Sequence, residues 1–279
     1  MKKIILTLLA AASIFAANAQ EAKTMYIMRN GEVVCQQLVS EIDSIIFYAP
    51  PTVNDPLTYD EGVIINSIKW ATRNVGEHGK FVEKPEDYGG LYQWGRKGDG
   101  HEQPTSPNYP TNDDSDESGI VSGAGNFDAN GQIVSSHPAY GRFIKQSASP
   151  WDWRNPQNAT LWNAGTETTP IKTVNDPCPC GWRVPTYEEL KSLMSTNGTW
   201  TETPANGWVF GSDVTIFLPA AGYRRISNGT FDNRSYGGDY WSSTEYSTTG
   251  GYFAYFTSSG TGTNVYNRAY GFSVRCVAE

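Results

Sequence analysis

The chain has 279 residues with 21 basic against 29 acidic side chains, a formal charge of −8, and is long enough to bury a proper core as one large domain or two small ones. It lacks the concentrated Lys and Arg that a nucleic acid or an anionic membrane surface requires of a partner. Charged residues are sparse while Gly, Tyr, Trp, Ser, Thr and Asn are abundant, a composition that favours turn-rich β structure and exposed aromatic-polar surface.

Residues 1–19 read as a signal peptide. Lys2-Lys3 form the positive region, Ile4 to Ala17 the apolar run, and Ala17-Asn18-Ala19 the cleavage site before Gln20. The run is too short to span a bilayer, no second one follows, and no cysteine marks a lipid anchor at the cleavage point. The expected location is periplasmic, cell-surface or extracellular, with no membrane insertion, and the mature charge falls to about −10 once Lys2 and Lys3 are removed.

Residues 20–49 form a small N-terminal β unit. Thr24 to Met28 and Val33 to Leu38 read as strands joined by an Asn30-Gly31 hairpin signal, and residues 39–47 as a third extended run. So small a unit needs packing. It either packs on the main domain or docks a partner. Residues 50–60, beginning Pro50-Pro51, are a polar linker.

The main domain covers residues 61–279. Val63 to Trp70 reads as its first strand. Residues 96–140 are turn-rich, and the acidic run Asp113 to Glu117 and Asp128-Ala129-Asn130-Gly131 lack the ligand spacing of a calcium loop. Trp151, Trp153 and Trp162 follow, either buried in the core or exposed to stack on sugars. The best-specified helix starts at Thr186, an N-cap with Glu189 completing a capping box. Tyr187, Leu190, Leu193 and Met194 share one face, and Asn197-Gly198 supplies a stop. Thr215 to Pro219, Tyr240 to Ser243, Gly251 to Thr257 and Gly271 to Val277 read as strands.

Five blocks occur in order: Trp70-Ala71-Thr72-Arg73-Asn74-Val75, Tyr88 to Gly95, Gly181-Trp182-Arg183-Val184-Pro185-Thr186, Tyr240 to Glu245, and Ser273 to Val277. Together they resemble the Fibrobacter succinogenes major paralogous domain, a secreted bacterial family related to C-type lectins. The resemblance covers residues 61–279. It implies an α+β, C-type-lectin-like domain with short helices and a twisted antiparallel sheet, preceded by the small β unit. It brings no established activity, and a fold alone does not supply one.

Four cysteines, Cys35, Cys178, Cys180 and Cys276, allow three pairings in an oxidising compartment. Cys276 lies in the last of the five blocks and Cys178 just before the third, and the resemblance implies that they pair. That closure would contribute roughly 4 to 5 kcal/mol. A zinc site at Cys178-Pro179-Cys180 lacks its further ligands, because His78, His101 and His137 are not spaced near it.

No catalytic constellation, phosphate loop or metal motif occurs, so no catalytic residue and no cofactor is expected. Formylglycine-generating enzymes share the broad fold relationship and need paired cysteines near the C-terminus; here Cys276 stands alone there. The Glu-Pro-Asn and Trp-Asn-Asp calcium motifs of sugar-binding lectins are also missing. The resemblance implies that residues 236–267 carry the loop face used for ligands. Tyr236, Asp239, Tyr246, Tyr252, Tyr266 and Asn267 are its candidate binding residues. The expected function is a non-enzymatic binding or adhesion module for a glycan or a cell-surface protein. The alternative is a structural subunit of a surface assembly, docked through residues 24–48, with an enzyme third.

Overall fold

The computed structural model describes residues 56–111 and 118–279, together with the backbone of two strands near the N-terminus. Those two strands, Thr24–Arg29 and Glu32–Leu38, pair antiparallel, with Arg29 opposite Glu32. The signal peptide, the run at 39–47, Pro50-Pro51 and the acidic run at 113–117 lie outside the described residues.

The fold is mostly β, which corrects the expected α+β class. Among the described residues one α-helix, Tyr187–Met194, accompanies seven sheets of two to four strands. No single large antiparallel sheet forms, and two of the pairs are parallel, Asn108–Tyr109 with Phe143–Ile144 and Val121–Ser122 with Arg154–Asn155. The reason is local. Outside residues 186–195 the apolar residues do not recur at helical spacing, while Gly, Pro, Asn and Ser interrupt extended runs every few residues. The expected strand Val63 to Trp70 is likewise two, Val63–Ile65 and Ile68–Asn74. They turn at Asn66 and Ser67, whose φ values are 52° and 65°. The Asn66 amide holds that left-handed turn by donating to Ser192 O, Ser192 Oγ and Thr196 Oγ1 at 2.9–3.1 Å.

The helix follows its sequence signals. Thr186 caps it, and Glu189 returns the bond to the Thr186 N–H at 2.8 Å. Leu190, Leu193 and Met194 are buried. The helix ends at Ser195, and Gly198 already begins the strand Gly198–Thr201. Its N-terminus is also occupied: the Glu167 carboxylate accepts from the Glu188 N–H at 2.7 Å and from Thr244 Oγ1 at 2.6 Å.

Trp70, Trp94, Trp153, Trp162 and Trp241 are at most 1% exposed, so the core is built on tryptophan. Three of their indole N–H groups converge on residues 92–96, where the two-residue strand Tyr92–Gln93 turns at Trp94-Gly95 and the Arg96 N–H donates to Gln93 O at 3.0 Å. Trp241 donates to Tyr92 O at 2.8 Å, Trp153 to Trp94 O at 2.8 Å, and Trp162 to Arg96 O at 3.2 Å. The indoles thus satisfy the main-chain carbonyls of this turn from the core side. Trp94 in turn donates to Ser242 O at 2.8 Å.

Cys178 and Cys276 form a disulfide, as the family resemblance implies, between residues 98 apart in sequence. Cys180 is also disulfide-bonded. Among the described residues no helix is long and apolar enough to cross a membrane.

Candidate binding cleft

Residues 236–267 do not form a loop face. Gly237–Glu245, Gly250–Thr257 and Gly260–Asn267 make a three-stranded antiparallel meander with short turns. Alternation along each strand sends side chains to opposite faces, and the register decides which residues meet. Asp239 sits opposite Tyr255, Trp241 opposite Phe253, Phe253 opposite Asn264, and Tyr255 opposite Gly262. These residues share one face with Tyr266. Tyr240, Tyr252, Ala254, Phe256 and Val265 occupy the other.

The second face is covered. Leu190, Leu193 and Met194 of the helix pack with Tyr240, Ala254 and Phe256 in one apolar cluster. The first face is covered over half its length, where Trp241 and Phe253 join Tyr92, Trp94 and Phe272 in the main core. Beyond that edge it opens into a cleft of about 260 Å³. Phe253 and Phe272 lie in its apolar wall. Tyr255 and Tyr266 rise from the meander, and Tyr223 faces them from the strand Tyr223–Arg224. Asp239, Asn233 and Asn264 bring polar groups to the same space.

The aromatic wall is continuous. Tyr266 meets Phe253 at 5.7 Å and Tyr270 at 4.3 Å between ring centroids, both edge-on. Tyr223 meets Tyr270 at 5.9 Å and Phe272 at 6.0 Å. Such edge-to-face contacts fix the rings, so the wall is pre-formed. Gly262 gives Tyr255 its position, because a Cβ there would meet the Tyr255 ring and hydroxyl at 2.8–3.1 Å.

Asp239 differs from its surroundings. Its carboxyl accepts no hydrogen bond from any described residue, and it is the single carboxylate lining the cleft. Burial pushes its pKa up to about 7, with the Asp232 charge adding to the shift. Asp232 itself is occupied, accepting from the Tyr223 hydroxyl at 2.9 Å and pairing with Arg225.

Of the six candidate residues, the cleft brings together Asp239 and Tyr266. Tyr252 and Asn267 belong to the opposite face. Tyr252 stacks on Tyr187 of the helix, and Tyr246 packs edge-on against Tyr252 at 5.3 Å. Tyr236 precedes the first strand and is 76% exposed. The cleft adds Tyr223, Asn233, Tyr255 and Asn264. Tyr255 and Asn264 reach the Asp239 face through the two-residue turn Ser258-Ser259 between Thr257 and Gly260, of which Gly260 is the signal visible in sequence.

Among the described residues the one cluster with metal-ligand composition, Asp99, His101 and Glu102, is accounted for by hydrogen bonds. The Gln93 N–H donates to His101 Nε2 at 3.1 Å, so His101 Nδ1 carries the proton and donates to Asp99 at 2.7 Å. Arg96 completes the set at 2.7 Å from Asp99. Neither ring nitrogen has a spare lone pair. In Asp128-Ala129-Asn130-Gly131 the Asp128 Oδ1 accepts from the Asn130 and Gln132 N–H groups at 2.9 and 2.8 Å.

A family model described as Domain of unknown function (DUF8237) matches residues 210–277. That stretch holds the meander and every residue of the cleft. No curated protein and no solved structure matches the chain.

Proposed function

We propose that this protein is an exported, non-enzymatic binding module whose cleft at Asp239, Tyr255 and Tyr266 recognises a neutral glycan. The observation that carries the reading is an unpartnered carboxyl in a pre-formed tyrosine cleft. Sugar rings offer an apolar face to aromatic walls and hydroxyl groups to a lone acceptor, and such pockets combine apolar walls with few polar groups. Asn233 and Asn264 supply further donors and acceptors at the rim. The resemblance of five sequence blocks to the Fibrobacter succinogenes major paralogous domain supports export, as does the disulfide. Glycoside hydrolysis fits the cleft poorly, because it ordinarily requires two carboxyl groups flanking the bond, and here one lines it.

A glycan array probed with residues 20–279, beside Asp239→Asn and Tyr266→Ala, tests the proposal. Binding by the parent chain and its loss in both folded variants is the expected result. A blank array, or hits unaffected by either substitution, would sink it.

A further inference from the structure

The two outer edges of the meander differ in kind. The Gly237–Glu245 edge is closed: the Trp241 N–H donates to Ser273 O and the Ser273 N–H to Asp239 O, both at 3.0 Å, and the Gly222 N–H reaches Gly237 O at 2.9 Å. The Gly260–Asn267 edge is open among the described residues. Its strand pairs only with Gly250–Thr257, and in an antiparallel ladder alternate residues turn their main-chain groups outward. Here those residues are Thr261, Thr263 and Val265. The Val265 N–H marks the alternation, because it is held by the side chain of the neighbouring Asn264, at 2.8 Å from Oδ1. The N–H and C=O groups of Thr261 and Thr263, and the Val265 C=O, have no partner among the described residues, and none of the three residues is buried.

Open edges are ordinarily blunted by lysine, proline or a bulge. Gly-Thr-Gly-Thr-Asn-Val-Tyr-Asn has no charged residue and no proline, and its register runs without a bulge. Such an edge accepts a strand, and the order of its side chains indicates which one. On the cleft face, Gly260 and Gly262 come first and Asn264 and Tyr266 follow. A second copy, antiparallel about a two-fold axis at Thr263, sets Tyr266 opposite Gly260 and Asn264 opposite Gly262. Each larger side chain then meets a residue that has none. On the other face Thr261 meets Val265, and Thr263 meets its own counterpart, β-branched pairs that suit a sheet. The main chain agrees with this register. The Thr263 N–H groups bond the Thr263 carbonyls across the axis, and the Thr261 N–H groups bond the Val265 carbonyls. The Val265 N–H is not called on, so Asn264 keeps its bond.

We propose that Gly260–Asn267 is a dimer seam, at which two copies of this chain join their three-stranded meanders into one continuous sheet. The strand is neutral, so two acidic chains meet there without opposing like charges. Asn264 and Tyr266 line the cleft and also stand at the seam, so the joined sheet carries both clefts side by side on one face. The inference stands apart from the glycan reading and survives if the cleft binds nothing.

The test is sedimentation of residues 20–279 at concentrations up to about 1 mM, with amide hydrogen exchange followed at the low and high ends. A monomer–dimer equilibrium is expected, in which the Thr261 and Thr263 N–H groups exchange more slowly as dimer forms. Thr263→Pro removes an outward N–H from each copy and leaves the inner ladder intact, so it should weaken the dimer about tenfold or more, equivalent to one or two lost hydrogen bonds. Thr263→Lys opposes two charges across the axis and serves as a second variant should Thr263→Pro fail to fold. The proposal is overturned by a chain that stays monomeric throughout, its edge left to a strand of another protein. A dimer that keeps full affinity in a folded variant, or that leaves exchange at Thr261 and Thr263 unchanged, overturns it equally.

Discussion

Tyr187 and Tyr252 stack with ring centroids 4.0 Å apart and planes 24° from parallel, tying the α-helix Tyr187–Met194 to the middle strand of the meander. This contact lies on the face away from the cleft. Tyr252 therefore holds the scaffold, whereas Tyr266 belongs to the wall of the proposed site. Tyr252→Ala is expected to cost about 2–3 kcal/mol in urea unfolding and to leave cleft affinity within about twofold. Tyr266→Ala should reverse that pattern, losing most of the affinity for a smaller stability cost. Equal effects from both would remove the distinction between the faces.

Gly262 lies directly across from Tyr255, and a Cβ there would press on the ring. Gly262→Ala should displace the tyrosine and weaken ligand binding several-fold while costing about 1 kcal/mol or less of stability, because the strand accepts Ala without strain. Titration of the variant beside thermal unfolding checks this. Unaltered affinity would mean that the Tyr255 ring position does not matter to the ligand.

Asp239 should also make the protein sensitive to pH. Its folded pKa is raised to about 7 by burial, with Asp232 adding to it, against about 3.9 in an unfolded chain. Between those values the native state binds more protons than the unfolded one, so stability falls as pH rises from about 4 to 7. Asp152, raised to about 7 by burial against the pull of Arg268, adds to the same slope. Asp239→Asn should gain about 1–3 kcal/mol at pH 8 and nothing at pH 4. Hydroxyl donors favour the ionised carboxylate, so a glycan should bind the parent chain more tightly at pH 8 than at pH 5.5. Urea curves and affinities at several pH values measure both effects; an identical pH slope in the variant would refute the assignment to Asp239.

The Cys178–Cys276 bridge closes a loop across 98 residues. Replacing both cysteines with serine should lower unfolding free energy by about 3–5 kcal/mol. Denaturation of parent and variant, each with and without reductant, gives the difference. A change below about 1 kcal/mol would show that the unfolded chain is already restrained by other means.

The helix was legible because its signals are local: Thr186, Glu189 and the apolar residues at 190, 193 and 194 lie within three turns. The disulfide was legible only through the blocks resembling a known family. The fold class was not, since two-residue strands such as Tyr92–Gln93 and Gly271–Phe272 carry no periodic pattern. The site was half legible. Composition pointed to the tyrosines of residues 236–267, but sorting Tyr266 from Tyr252 requires the pairing register. That register is set by turns that also had to be recognised as joining three strands. Tyr223 and Asn233 reach the cleft from outside the meander, through packing that no local pattern encodes.

The three indoles that donate to Tyr92, Trp94 and Arg96 come from 149, 59 and 66 residues further along the chain. Folding of this kind waits on distant partners, and topologies dominated by such contacts fold slowly, on the order of milliseconds to seconds. During synthesis the segment at 92–96 is made long before Trp241 arrives. A chain cut short of residue 241 would leave it incomplete, with a buried carbonyl lacking its donor. Assembly of the core around residues 92–96 therefore waits until Trp241 has been made.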